Sequence, residues 1–181
     1  MSRVKGSNFV TMRAFAEKHG VADALRASLT PDARTAFDEA LAIGWYDAPA
    51  FVEVLHALGP ALGKPGAEVM RELGYFSVER DMTTVHRVFF RLANPAFVLE
   101  KSTQYWSRFH DRGEWRVERL GPSQVRADLV GCGIVDTLFC ENVLAYIARM
   151  FELVGAKDAR WEHPACRARG GETCTFTGEW R

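Results

Sequence analysis

Near Gly113 the spacing of apolar residues changes, and that change limits the fold more than any other feature of the chain. Before it, apolar residues recur at helical intervals. Phe9 to Lys18 ends at Gly20, a natural C-terminal cap. Thr30-Pro31-Asp32 has the cap residue, first-turn proline and acid of a helix start, and that helix runs to Ile43. Asp47 opens a segment in which Phe51, Val54, Leu55 and Leu58 share a face, and Pro65 opens another through Met70 and Leu73. Segments from Met82 to Leu92 and from Ala96 to Phe109 follow, parted by Asn94-Pro95.

Beyond Gly113 the period is two. Trp115 and Val117 alternate with Glu114, Arg116 and Glu118, and after Gly121-Pro122 the apolar set is Val125, Ala127 and Leu129. This reads as a β-hairpin with one solvated face. Ile134 to Val154 is apolar on most sides, the mark of a buried or interfacial helix. A second hairpin spans about Ala159 to Trp180, with Cys174, Phe176 and Trp180 on one face. The expected fold is α+β: a helical N-terminal half, then hairpin, long buried helix and hairpin, giving an antiparallel sheet of four or five strands. No linker or repeat interrupts residues 1–181, which we read as one ligand-binding domain.

Lys+Arg and Asp+Glu number 23 each, so the formal charge is zero, without the basic excess of a duplex-binding protein. The N-terminus lacks a signal-peptide core, and no window approaches the roughly 18 apolar residues of a membrane span, so a cytoplasmic location is expected. There is no G-x-S-x-G, H-E-x-x-H or phosphate loop, so no enzymatic chemistry is expected.

In the last hairpin Cys166 and Cys174 flank Gly170-Gly171, with His163 three residues ahead and Glu162 beside it. A three-residue loop at Arg169-Gly170-Gly171 would set the two thiols opposite each other, about 4.5–5.5 Å apart at Cβ, a spacing one zinc can bridge. Cys140 lies in the adjoining apolar helix. A Cys₃His or Cys₃Glu metal site, ordinary buried thiols and a Cys166–Cys174 disulfide all fit this pattern, and Cys132 is a further thiol at the helix entry.

The run Cys166-Arg-Ala-x-Gly-x-x-x-Cys174, followed by Thr-Phe, resembles the C-terminal motif of the 4-vinyl-reductase-type domain, the sensor module of aromatic-responsive transcriptional activators. In those sensors zinc is held by a helical cysteine, an acid three residues before the first hairpin cysteine, and two hairpin cysteines eight apart. Cys140 precedes Cys166 by 26 positions, the same offset as in the family, while His163 stands where the family has the acid. The resemblance is strong over Cys140 to Trp180. The remainder is similar to a myxobacterial paralogous family of the same superfamily, which also holds heme nitric-oxide-binding domains and vesicle-tethering subunits. It implies a structural Zn²⁺ on Cys140, His163, Cys166 and Cys174, and a pocket for a small hydrophobic or aromatic molecule. Phe89, Phe90, Tyr105, Trp106 and Trp115 would wall that pocket and His86 would orient its ligand. A homodimer is expected as the signalling form, and a dimerising scaffold with no ligand is the alternative. A heme-binding relative would need an axial histidine and a Tyr-x-Ser-x-Arg clamp. Tyr105-Trp106-Ser107-Arg108-Phe109 lacks the arginine, so no heme is expected.

Overall fold

The computed structural model describes residues 2–83 and 94–181, the side chains of 82 and 83 excepted. Strand β1 (Arg3–Lys5) runs directly into α1 (Gly6–Lys18), followed by α2 (Ala22–Ser28) and α3 (Pro31–Glu39). Strand β2 (Trp45–Asp47) returns antiparallel to β1, pairing Val4 with Tyr46. Helices α4 (Ala48–Leu62), α5 (Gly66–Thr83) and α6 (Pro95–Phe109) lead to β3 (Glu114–Gly121) and β4 (Gln124–Val130). Helix α7 (Thr137–Leu153) precedes β5 (Arg160–Ala165) and β6 (Cys174–Glu179).

The α+β expectation holds, with a four-stranded antiparallel sheet in the order β3-β4-β6-β5. The short β1–β2 pair and α2 were not anticipated. Each is too short for periodicity to reveal, and β1 gains its place from tertiary contact, a bridge from Val4 to His110. The helix expected from Met82 to Leu92 lies almost wholly outside the described residues.

Local chemistry explains most boundaries. Asn94 Oδ1 accepts from the Phe97 amide (3.0 Å) and Asp136 Oδ1 from the Phe139 amide (2.8 Å), capping α6 and α7. Thr30 departs from its expected role. Its amide and hydroxyl both donate to Glu53 of α4, at 2.6 and 2.7 Å, so it ties two helices together instead of capping its own.

Helix α7 is apolar on most sides because it lies between α5 and the sheet. At its closest approach to α5, a Cβ on Gly74 would sit 2.7 Å from Ala145 Cβ and 2.9 Å from the Tyr146 amide nitrogen, so only glycine permits this crossing. Phe139 and Cys140 join the main core, with Phe9, Phe51, Leu129 and Phe176. Phe151 anchors a smaller cluster with Val98, Val125 and Val154. No described helix is long and apolar enough to cross a membrane.

Candidate metal centre and ligand cavity

Four side chains far apart in sequence meet where α7 enters the core. Cys140 lies on the first turn of α7, Cys166 just past β5, and Cys174 opens β6, opposite Leu129 of β4. His163 reaches them because β5 slips register against β6 between Glu162 and Ala165, as expected of a strand carrying Pro164. Glu162 pairs with Thr177 and is exposed, so it does not join the group. The connection between the hairpin cysteines is longer than the three residues expected. A 3₁₀ turn over Arg167–Arg169 and a left-handed Gly170 (φ 88°) fold it back, and the Gly171 amide donates to the Cys166 carbonyl at 2.9 Å. That turn exploits local i→i+3 bonding and costs little, which hairpin-length rules alone do not foresee.

One donor atom from each of Cys140, His163, Cys166 and Cys174 lies within 4.8 Å of the others. Cys140 Sγ is 3.5 Å from Cys174 Sγ and 3.8 Å from Cys166 Sγ. Sulfurs in a tetrahedron about zinc, each ~2.3 Å from it, lie about 3.8 Å apart, whereas a disulfide needs about 2.05 Å. All four cysteines are free thiols. The His163 ring stacks on Phe176, centroids 4.5 Å apart and planes within 5°, and neither ring nitrogen has a hydrogen-bond partner. Burial, and secondarily the Arg169 charge, lowers its pKa to about 4 against a weaker pull from the Ala165 backbone. The imidazole is therefore neutral at pH 7, the form that ligates a metal. Burial, then the neighbouring Cys174 and Cys166 sulfurs, pushes the Cys140 thiol strongly upward. Cys132 stays outside the group: its Sγ accepts from the Ile134 amide at 3.4 Å, and burial raises its pKa to about 11.

The second feature is a cavity of about 210 Å³ bounded by α1, α5, α6, α7 and the inner face of the sheet. Tyr105, Trp106 and Trp115 line it as the sequence suggested, with Phe97, Phe139 and Tyr146. His86, Phe89 and Phe90 fall outside the described residues. Several wall residues were missed, above all Ser7, Asn8 and His110. Ser7 and Asn8 sit on the first turn of α1, which nothing local connects to α6. His110 ends α6, where the helix dipole alone would favour the imidazolium. Instead it stacks on Trp106 (4.1 Å, 16°) and meets Phe139 edge-on (5.5 Å). Burial lowers its pKa to about 4 and outweighs the opposing charge of Asp111. His56 is exposed and bonds Asp136 at 2.7 Å.

No protein-family model and no curated protein matches this sequence. Solved structures share its fold. An H-NOX protein from Shewanella oneidensis in the Fe(II) state superposes with a TM-score of 0.76 at 13% identity, over 98% of this chain and 96% of that one. An Fe(II) unliganded H-NOX mutant from K. algicida gives 0.73 at 10% identity, over 98% and 96%. An oxygen-binding H-NOX domain related to soluble guanylate cyclases gives 0.71 at 11%, over 97% and 92%. The architecture is the H-NOX fold.

The expectation of no heme is corrected by these neighbours, one of them described by its heme redox potential and porphyrin distortion. A clamp motif is one local feature, whereas a prosthetic group is held by an architecture, and this architecture is one that heme proteins use. The described cavity has groups that suit a porphyrin. His110 offers a neutral imidazole, Trp106 and Phe139 offer aromatic walls, and Lys101, paired with Glu100 at 2.9 Å, is a cation for a propionate.

Proposed function

We propose that residues 1–181 form one non-catalytic small-molecule sensor domain whose cavity takes a flat, mostly apolar ligand. Heme and smaller aromatic molecules both belong to that class. The observation that carries this reading is the cavity itself: about 210 Å³, walled by aromatic rings, with the neutral His110 imidazole among its lining residues. A ligandless scaffold would have filled that space with side chains. It would also need an apolar face to spare, and α7, the helix whose sequence offered one, is spent against α5 and the sheet.

For heme, His110 would hold the iron and Lys101 would meet a propionate, while Trp106 keeps the His110 ring in place by stacking. Bound iron would supply a site for a diatomic gas, as the Fe(II)NO state of the S. oneidensis protein illustrates. The cavity supports binding and orientation, with no nucleophile–base pair arranged for chemistry among the described residues.

In this reading Cys140, His163, Cys166 and Cys174 bind a structural Zn²⁺. Four protein ligands close its coordination sphere and pin α7 to the last hairpin. The motif around Cys166 and Cys174 supports kinship with 4-vinyl-reductase-type sensors, and a homodimer would carry the signal onward.

Titrating purified protein with hemin and with a panel of neutral aromatics tests the cavity. A Soret band lost in His110→Ala, or saturable binding of an aromatic, is expected. Failure of both would overturn the ligand-binding reading. Elemental analysis tests the tetrad, with about one zinc per chain expected and none in Cys166→Ala.

A further inference from the structure

Three hydroxyls that line the cavity from α5, α6 and α7 have spent their protons on the protein. Ser77 Oγ donates to the Leu73 carbonyl at 2.7 Å, and Ser102 Oγ to the Leu99 carbonyl at 2.8 Å. Tyr146 donates to Asp81 Oδ2 at 2.9 Å. A hydroxyl has one proton and two lone pairs, so what these groups still offer is acceptors.

Asp81 is the one acid on the described wall. It lies one turn beyond Ser77 on α5, so the two side chains share a face, and both are partly exposed. Its carboxylate has two oxygens and roughly four acceptor sites, and the Tyr146 hydroxyl uses one of them. Burial, then the Asp81 charge, raises the Tyr146 pKa well above its ordinary value, so the phenol keeps its proton. Tyr146 therefore orients the carboxylate without bringing a charge to it. Two turns earlier on α5, Gly74 seats that helix tightly against α7, which fixes the bearing of Asp81 as well.

Resting on the smaller-aromatic branch of the cavity reading above, we propose that Asp81 anchors a protonated amine, and that the ligand is an aromatic ring carrying a primary ammonium on a short arm. A primary ammonium has three donors and no acceptor, the complement of a carboxylate beside a hydroxyl whose proton is spent. An anionic ligand would meet the Asp81 charge, and Lys101, the one lysine or arginine on the described wall, is paired with Glu100 at 2.9 Å. The ring would rest among Phe97, Trp106, Trp115 and Phe139, which supply the apolar remainder of the wall.

Phenethylamine, 2-phenylethanol and phenylacetate are matched probes: one ring and a short arm ending in a cation, a neutral hydroxyl or an anion. Calorimetry on the purified protein reads their binding. Wild type is expected to hold the amine at least about ten-fold more tightly than the alcohol, and the carboxylate most weakly. Asp81→Asn removes the charge and keeps an acceptor for Tyr146. It should bring the amine to within about three-fold of the alcohol while the alcohol's own affinity stays unchanged. Tyr146→Phe keeps the charge and should retain the preference for the amine. Equal binding of amine and alcohol to wild type, or a preference that survives Asp81→Asn, would overturn the anchor and leave the cavity reading intact. If Asp81→Asn fails to fold, the wild-type series decides alone. If none of the three probes binds, the anchor falls; the cavity reading falls with it only if hemin and the other neutral aromatics also fail.

Discussion

At the Cys140 end of α7 four donor atoms crowd within 4.8 Å of one another, while further along the same helix Asn142, Tyr146 and Met150 wall an open space of about 210 Å³. The four donors of the cluster come from one hairpin and the helix packed on it, whereas the cavity walls come from elements as far apart in sequence as α1 and α7. Both His163 nitrogens are left unpaired by the chain, and such a group inside a tight cluster points to a small ion, whereas an aromatic-walled space points to a molecule.

The largest effect belongs to the cluster. Cys166→Ala should abolish bound metal and lower unfolding stability by about 4 kcal/mol, the value for a site holding its ligand at a thousand-fold excess over Kd. Denaturant unfolding with parallel metal analysis checks this, and equal stability with and without metal would reduce the tetrad to buried thiols.

The next largest effect belongs to His110 in ligand-free protein. Its folded pKa, about 4, lies below the ordinary value of 6.5, so the unfolded chain binds the proton first as pH falls. Its contribution to stability is full above about pH 6.5 and is lost between there and pH 4, at a slope approaching ~1.4 kcal/mol per pH unit. Comparing unfolding curves of wild type and His110→Gln over that range isolates the slope.

Gly74→Ala follows, since the new Cβ would meet Ala145 Cβ and the backbone of Asn142 and Tyr146 at 2.7 to 3.0 Å. Separating α5 from α7 should cost about 1–3 kcal/mol in thermal or denaturant unfolding. Smallest is Ser7→Ala in ligand-free protein, expected within about 0.5 kcal/mol of wild type or slightly more stable, because it deletes an unpaired group. A loss beyond about 1 kcal/mol would show that the Ser7 hydroxyl has a partner in the folded protein.

How far the sequence revealed these regions follows from the same contrast. The hairpins, the α7 helix and the thiol pair flanking Gly170 were readable because strand alternation, helical period and turn chemistry are local. Cys140 and His163 were placed by their offsets to Cys166 within the resembled motif, and the register slip at Pro164 is what carries His163, not Glu162, to the thiols. The cavity was legible only as an aromatic excess around Tyr105 to Trp115. Ser7, Asn8 and His110 carry no local signal, since a serine and an asparagine at a helix start read as capping residues. The β1–β2 pair was invisible for a related reason: three-residue strands have no period to detect.

The close packing of α7 against α5 at Gly74 has an angular consequence. Successive helical residues advance by about 100° around the axis, so fixing the bearing of one fixes all the others. Cys140 is drawn toward the hairpin at one end of the rod, and at Gly74 the two backbones nearly touch, leaving no slack for the rod to roll. Asn142, Tyr146 and Met150 therefore face the cavity at headings set by residues that never touch its contents.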